Sequence, residues 1–207
     1  YYTWIDLVND LIDTELEKSN MPIVLCGISL GGMLAYQVAC LNKKISGLIV
    51  TSLADTRKKP VQMGLARNKL FGAVSPLLLS KLSVLTDDLK IPIKWTTKMW
   101  AMANNSNFVN DLMGDKVGSG SWVFLKFFRT LFEASPEIEP ENFDLCPLLF
   151  LQPEKDYIIP WSMSKPFYEA LSCPKSLVFL ENCGHIPLEE PGTDQMIDSV
   201  VEFLEEL

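Results

Sequence analysis

Three side chains that could together carry out nucleophilic catalysis lie far apart in the chain. Ser29 stands in the sequence Gly-Ile-Ser-Leu-Gly-Gly, Asp156 in Gln-Pro-Glu-Lys-Asp-Tyr, and His185 in Cys-Gly-His-Ile-Pro-Leu-Glu. A hydroxyl beside an imidazole base becomes a nucleophile, and a carboxylate can orient the imidazole and stabilise it once it is protonated. Because His185 is the only histidine, any mechanism that needs an imidazole has to use it.

The motif around Ser29 is typical of a sharp turn between a strand and a helix. Only glycine is expected to fit two positions before and after a nucleophile on such a turn, and Gly27 and Gly31 occupy these positions. We therefore predict a strained backbone at Ser29. The Leu30 amide, at the start of the next helix, is predicted to face a developing oxyanion. As an alternative, the same motif can mark only a glycine-rich turn.

The acid and the base each follow a predicted strand. Asp156 lies just past one strand, and Glu154 competes with it because only the loop geometry decides which carboxylate points inward. His185 directly follows the next strand. The chain order Ser29, Asp156, His185 is that of a known catalytic triad. A turn acid and a solvated histidine are the alternative interpretations.

Apolar runs and helical periodicity alternate in the two flanks of the chain, which predicts an α/β fold. Strands are predicted over 22–27, 46–51, 147–151 and 176–180, and helices over 3–18, 31–42, 162–171 and from 194 onward. Strands alternating with helices of this length indicate right-handed crossovers and a parallel sheet covered on both faces. The first strand is a continuous apolar run and is predicted to be buried on both faces. Such sheets carry their chemistry at the carboxyl ends of the strands.

The middle of the chain differs from the two flanks in charge and in its predicted secondary structure. Residues 54–132 contain 12 Lys and Arg against five acids, whereas the whole chain has a net charge of −8. The pattern here indicates helices only, with many large apolar residues. We therefore divide the chain into a first core part (1–53), an inserted helical cap (54–142) and a second core part (143–207).

These motifs resemble the α/β-hydrolase fold family, over about residues 1–53 and 143–207. The resemblance implies a serine hydrolase of the lipase and esterase-like group, with Ser29, Asp156 and His185 as the triad and a helical cap between two strands. A serine rather than an aspartate at position 29 argues against the related dehalogenases and epoxide hydrolases.

One departure from the family concerns the N-terminal strands. Family members begin with several strands before the nucleophile strand, and a loop after one of them supplies the second oxyanion amide. This sequence opens in the helix that precedes the nucleophile strand. We therefore expect a chain that is the C-terminal part of a longer protein, and a first strand with an unpaired edge.

Composition excludes several other classes of protein. A net charge of −8 would repel nucleic acid, and five cysteines without a Cys-x-x-Cys pair argue against a disulfide framework and a thiolate metal site. A single histidine excludes metal sites built on several. No cofactor or metal is implied. No apolar run is long enough to span a membrane and no targeting segment is visible, so a soluble cytoplasmic protein is expected.

The expected function is hydrolysis of a carboxylic ester with a hydrophobic acyl part, because an apolar lid would cover the reacting groups. An acyltransferase, a thioesterase, or an enzyme that cleaves a small peptide or a carbon-carbon bond would use the same residues. A catalytically silent binding protein is the alternative from another class. The basic cap suggests a further hypothesis, in which it approaches an anionic lipid surface or an acidic acyl carrier. A solvated basic face is the simpler explanation of this charge.

Overall fold

Strands and helices alternate along the chain in the computed structural model, which describes residues 1–207. In chain order the elements are α1 (Tyr2–Lys18), β1 (Ile23–Ile28), α2 (Leu30–Leu41), β2 (Ile45–Thr51), α3 (Lys59–Leu65), α4 (Lys69–Lys81), α5 (Ser83–Thr86), β3 (Lys90–Pro92), α6 (Ile93–Thr96), α7 (Ser106–Gly114), β4 (Trp122–Phe124), α8 (Leu125–Glu133), β5 (Leu148–Pro153), α9 (Trp161–Ala170), β6 (Lys175–Leu180) and α10 (Gly192–Glu205). None of the helices combines the length and the apolar composition that crossing a bilayer requires.

Four strands form one parallel sheet, which confirms the predicted fold class. Their order is β1-β2-β5-β6, and every neighbouring pair is parallel. All four strands therefore end at the same edge of the sheet, where the loops that follow them meet. The four predicted strands differ from the observed ones by one or two residues at their ends.

The two central strands, β2 and β5, are covered on both faces. Their even-numbered apolar residues, such as Phe150, pack with α1, α2 and α9 in the larger core cluster. Ile49, Leu149 and Leu151 point the other way and pack with Phe203 of α10. This alternation follows from the two-residue repeat of a strand. Because both faces are covered, both strands carry consecutive apolar residues, Leu48–Val50 in β2 and Leu148–Leu151 in β5.

The prediction that the first strand is buried on both faces is wrong. β1 lies at an edge of the sheet and pairs only with β2, so one side of its backbone has no partner strand. Ile23, Val24 and Leu25 are half-buried, and Cys26 and Ile28 are exposed. An apolar run shows that a strand is suited to burial, but its position in the sheet decides whether neighbours cover it. The unpaired edge itself was expected.

Residues between β2 and β5 form the intervening segment, which contains α3 to α8. The prediction of helices only is wrong, because β3 and β4 pair as a two-stranded antiparallel ribbon. Each ribbon strand has only three residues, too few to produce a recognisable alternation in the sequence. The division of the chain into two core parts and an inserted cap at 54–142 stays a prediction.

One arginine joins the two ends of the intervening segment. The Arg57 guanidinium donates to both carboxylate oxygens of Asp55 at 2.8 and 2.9 Å and to both of Glu139 at 2.6 and 2.7 Å. The hydrogen bonds from Arg57 lower the pKa of Glu139 below its usual value. Asp55 is buried, so it depends on this arginine for compensation of its charge.

We expect Arg57→Met to lower the free energy of unfolding by about 1.5 to 3 kcal/mol at neutral pH, because it leaves the Asp55 carboxylate without its main partner. The measurement is urea denaturation followed by circular dichroism. A lowered folded-state pKa stabilises the fold above the unfolded-state pKa of Glu139 and loses that contribution as the pH falls through the folded value. The difference between wild type and variant should therefore shrink in acid.

Lys165→Met is the matched control, since Lys165 pairs with Glu169 at 3.6 Å on an exposed surface. Its effect should stay below about 1 kcal/mol. Equal effects of the two substitutions, or a difference that grows in acid, would contradict this account of Arg57.

Candidate active site

Ser29 lies on a sharp turn between β1 and α2. Its backbone has φ 57° and ψ −118°, a conformation that costs free energy for any residue with a side chain. Hydrogen bonds hold both sides of the turn: the Ser29 N–H donates to the Thr51 carbonyl at 3.0 Å, and the Gly32 N–H donates to the Ser29 carbonyl at 2.9 Å. The strained turn predicted from the sequence is therefore present, and it is fixed to the neighbouring strand β2.

The two glycines of the motif have different roles. A Cβ at Gly27 would overlap the carbonyl group of Gly31, so the strand and the helix can approach each other only if residue 27 is glycine. A Cβ at Gly31 would meet no heavy atom within 4 Å. The prediction that both positions exclude a side chain is thus right for Gly27 and wrong for Gly31. Space at position 31 depends on atoms distant in sequence, which the motif alone does not reveal.

Asp156 and His185 form a buried pair at the ends of β5 and β6. The distance between His185 Nδ1 and Asp156 Oδ2 is 2.7 Å, and the two residues are only 1% and 3% exposed. With an ionised carboxylate, Nδ1 carries a proton and donates it, so Nε2 is the ring nitrogen available as a base. Such a pair can accept a proton at Nε2 and stabilise the resulting imidazolium.

The loop after β5 determines which acid reaches the imidazole. Asp156 Oδ1 accepts hydrogen bonds from the backbone N–H groups of Ile158 and Ile159, both at 2.8 Å. These bonds turn the carboxylate inward. Glu154 is exposed, and its carboxylate accepts from the backbone N–H of Asn182 at 3.1 Å. The structure therefore brings Asp156, and not the competing Glu154, to the histidine.

Ser52 is a further polar residue of this site, and sequence reasoning missed it. Its hydroxyl donates to Asp156 Oδ2 at 2.7 Å, the same oxygen that faces His185. Ser52 is fully buried and, like Ser29, has a positive φ, here 50°. The sequence could have indicated Ser52 by its position directly after β2, at the sheet edge where the other site residues lie.

A large cavity opens beside these residues. Its volume is about 710 Å³, and its wall includes Ser29, Leu30 and His185 from the loops at the sheet edge. Most of the remaining wall comes from the intervening segment. Ser29 and His185 thus share one cavity, and no hydrogen bond joins them in this structure. Catalytic hydrogen bonds are often open in unliganded enzymes and tighten with substrate bound.

The wall of the cavity is apolar and uncharged. Of its 33 residues, 22 are hydrophobic, and none is Asp, Glu, Lys or Arg. The polar residues are serines, threonines, a glutamine and His185. A site of this kind favours a neutral, largely hydrocarbon ligand, because a charged group would lose its hydration without gaining an ionic partner.

The histidine loop is bound to the intervening segment by its backbone. The Ile186 N–H donates to the Met102 carbonyl at 2.7 Å. The Glu189 carboxylate accepts from the N–H groups of Gly184 and Asn104, both at 2.9 Å. Residues on either side of His185 are therefore held against the segment that lines the cavity.

Neither the cysteine thiols nor a cluster of metal-binding side chains offers an alternative to the Ser29 hydroxyl group in this cavity. Burial raises the pKa of Cys40 to about 11 and that of Cys146 to about 12, so both thiols are protonated at neutral pH. No cysteine lines the cavity. No three His, Cys, Asp or Glu side chains lie close enough together to hold a metal ion.

Solved structures with the same fold include lipolytic enzymes. The monoacylglycerol lipase of Paleococcus ferrophilus is 21% identical, with a TM-score of 0.74 over 97% of this chain and 74% of the lipase. A structure from work on LipS and LipT, lipolytic enzymes from a metagenome, is 17% identical, with a TM-score of 0.62 over 94% and 69% of the two chains. Mouse α/β hydrolase domain-containing protein 10 is 14% identical, with a TM-score of 0.60 over 98% and 70%.

The parallel sheet and these structural likenesses define an α/β-hydrolase fold protein. The family model described as serine aminopeptidase, S33, matches residues 3–192. The chain belongs to this family of serine hydrolases, and it is a hydrolase. No sequence among the curated proteins matches it.

We expect Gly27→Ala to destabilise the fold and Gly31→Ala to be tolerated. The added methyl group at position 27 would overlap backbone atoms of the turn, and overpacking of this kind costs about 1 to 3 kcal/mol or more. At position 31, inside α2, alanine has open space and a helix propensity about 1 kcal/mol better than glycine. Thermal unfolding of both variants measures the difference, and equal melting temperatures would contradict the geometry described for the turn.

Proposed function

We propose that this protein is a serine hydrolase that cleaves carboxylic esters with a hydrophobic acyl part. The observation that carries the proposal is the buried pair of Asp156 and His185 at the wall of an uncharged apolar cavity that Ser29 also lines. The order of these residues in the chain and their position at the carboxyl ends of three parallel strands support it further.

In the proposed mechanism, the Ser29 hydroxyl attacks the carbonyl carbon of the ester. His185 Nε2 takes the hydroxyl proton as the new C–O bond forms, and Asp156 stabilises the imidazolium. The carbonyl oxygen becomes an oxyanion and accepts a hydrogen bond from the Leu30 N–H. This amide is the first of helix α2 and has no partner within the helix.

Collapse of the tetrahedral intermediate breaks the bond to the alcohol. The leaving oxygen takes the proton from His185 Nε2, and the acyl group stays bound to Ser29 as an ester. Water then attacks this acyl-enzyme while His185 again removes a proton. A second collapse releases the carboxylic acid and restores the Ser29 hydroxyl.

The character of the cavity supports an ester rather than a peptide substrate. An aminopeptidase has to bind the free α-ammonium group of its substrate, and a buried ammonium needs an anionic partner. No Asp or Glu lines the cavity. The hydrocarbon part of an acyl chain needs no such partner and gains free energy from burial at roughly 0.8 kcal/mol per methylene group.

We expect Ser29→Ala to abolish labelling by a fluorophosphonate probe and to lower kcat on nitrophenyl octanoate by about 10⁴-fold or more. Ser119→Ala is the matched control, since Ser119 also lines the cavity with a hydroxyl group but has no base assigned to it. In the wild type, octanoate should be hydrolysed with a higher kcat/KM than acetate, and leucine nitroanilide should not be hydrolysed.

Labelling that survives Ser29→Ala would rule out Ser29 as the nucleophile. Absence of labelling and of hydrolysis in the wild type would favour a binding protein. Faster cleavage of the leucine anilide than of the esters would favour the aminopeptidase activity of the family description.

Ser52 is proposed as a positioning residue that acts through Asp156. We expect Ser52→Ala to lower kcat by about tenfold with little change in KM, because the carboxylate loses one of its hydrogen-bond donors.

Ser52→Gly is the control for the backbone, because glycine also removes the hydroxyl group but adopts a φ of 50° without strain. Similar losses in the two variants assign the effect to the hydroxyl group. A glycine variant with wild-type kcat would show that Ser52 contributes nothing through Asp156.

A further inference from the structure

The ribbon formed by β3 and β4 has an inner and an outer face. Ile91 pairs with Val123, and both side chains line the cavity. Because successive residues of a strand point to opposite faces, Trp122 and Phe124 point away from the cavity. They are 61% and 46% exposed, and neither lines the cavity.

An apolar outer face is unusual for a two-stranded ribbon in water. An antiparallel sheet with one covered face normally carries polar residues on the other. Here a third aromatic residue, Trp95, extends the face: its ring centroid lies 6.4 Å from that of Trp122, and it is 58% exposed. Contiguous exposed apolar surface of this kind indicates an interaction site.

Three lysines lie beside or close in sequence to these aromatic residues, and none of them forms a salt bridge. Lys90 Nζ lies 4.5 Å from the centre of the Phe124 ring, Lys94 precedes Trp95, and Lys126 comes shortly after β4. All three lysines are exposed and have no carboxylate oxygen within 4 Å. None of the three therefore forms a salt bridge, although the whole chain is acidic.

The arginines of the same segment provide a contrast. Arg57 pairs with Asp55 and Glu139, and Arg129 pairs with Asp87 at 2.6 Å and Glu133 at 2.8 Å. Positive charge that serves the fold of this segment is thus compensated by nearby acids. Lys90, Lys94 and Lys126 form no such salt bridge.

We propose that this outer ribbon face, formed by Lys90, Lys94, Trp95, Trp122, Phe124 and Lys126, docks onto an anionic lipid bilayer. Indole rings favour the boundary between headgroups and hydrocarbon, and lysines near that boundary are attracted to lipid phosphates. The rings enter the interface, and the ammonium groups lie among the anionic headgroups.

Docking through the outer ribbon face would bring the cavity close to the bilayer. Its inner face is a wall of the cavity, and the loop that leads into β4 carries Val117, which lines the cavity and is 93% exposed. A bilayer at the outer face would therefore lie close to an apolar opening. The inference extends the proposed function, since esters with long acyl chains reside in bilayers, but the contacts that carry it involve neither Ser29 nor His185.

The test is binding of the whole chain to vesicles, for the wild type and for Ser29→Ala. Vesicles of phosphatidylcholine alone are compared with vesicles of phosphatidylcholine mixed with phosphatidylglycerol, and bound protein is measured by co-sedimentation. We expect stronger binding to the anionic vesicles, weakened by salt, with both proteins equal. Brominated lipids should quench the tryptophan fluorescence, and Trp95→Phe combined with Trp122→Phe should remove most of that quenching.

Two sets of variants locate the contact. Changing Lys90, Lys94 and Lys126 to Gln should weaken binding to anionic vesicles by about fivefold for each lysine. Changing Trp95 and Trp122 to Ser should weaken binding to both kinds of vesicle. The matched control changes three lysines that lie outside the intervening segment and pair with acids, Lys18, Lys44 and Lys165, to Gln.

Several results would overturn the proposal. One is that the protein binds neither kind of vesicle. Another is that it binds both equally, with no effect of salt. A third is that the control triple variant loses as much binding as the variant of Lys90, Lys94 and Lys126. Binding to an acidic acyl carrier protein without binding to vesicles would replace the bilayer with a protein partner. Vesicle binding by a protein that proves inactive on every ester would refute the proposed function and leave the docking inference standing.

Discussion

The buried hydrogen bond between Asp156 and His185 is the interaction on which the site depends. A carboxylate removed from water is costly unless donors surround it, and this one receives bonds from Ser52, Ile158 and Ile159 as well as from the imidazole. These donors belong to loops that follow β2, β5 and β6. The site therefore forms only when three neighbouring strands are in register, because a shifted strand would leave the charge unpaired.

The turn at Ser29 is held by two other constraints, a backbone hydrogen bond and a close steric approach. β1 lies at the sheet edge with one neighbour, yet the turn that follows it keeps an unfavourable backbone conformation. The hydrogen bond to Thr51 and the close approach at Gly27 hold it there. Strain at one residue is thus balanced by contacts to β2 and α2, so the local conformation depends on packing made elsewhere.

The intervening segment combines two surfaces with different chemistry. Its inner side forms most of an uncharged apolar wall, which excludes ionic ligands by the cost of dehydration. Its outer side carries exposed aromatic rings, one of which, Phe124, lies beside the Lys90 ammonium group. The ribbon presents both surfaces at once, one on each face, because successive residues of a strand point in opposite directions.

Local motifs in the sequence determined the α/β class, the four strands and the residues that follow them, because glycine turns and strand periodicity depend on neighbours in the chain. From the sequence alone we predict Ser29, by its glycine-rich turn, and His185, as the only histidine. Tertiary structure alone decided that Asp156 rather than Glu154 reaches the imidazole and that Ser52 supports it. It also decided that neighbours cover β1 only in part and that β3 pairs with β4. Each of these depends on which groups meet across long separations in sequence, and no local pattern encodes such contacts.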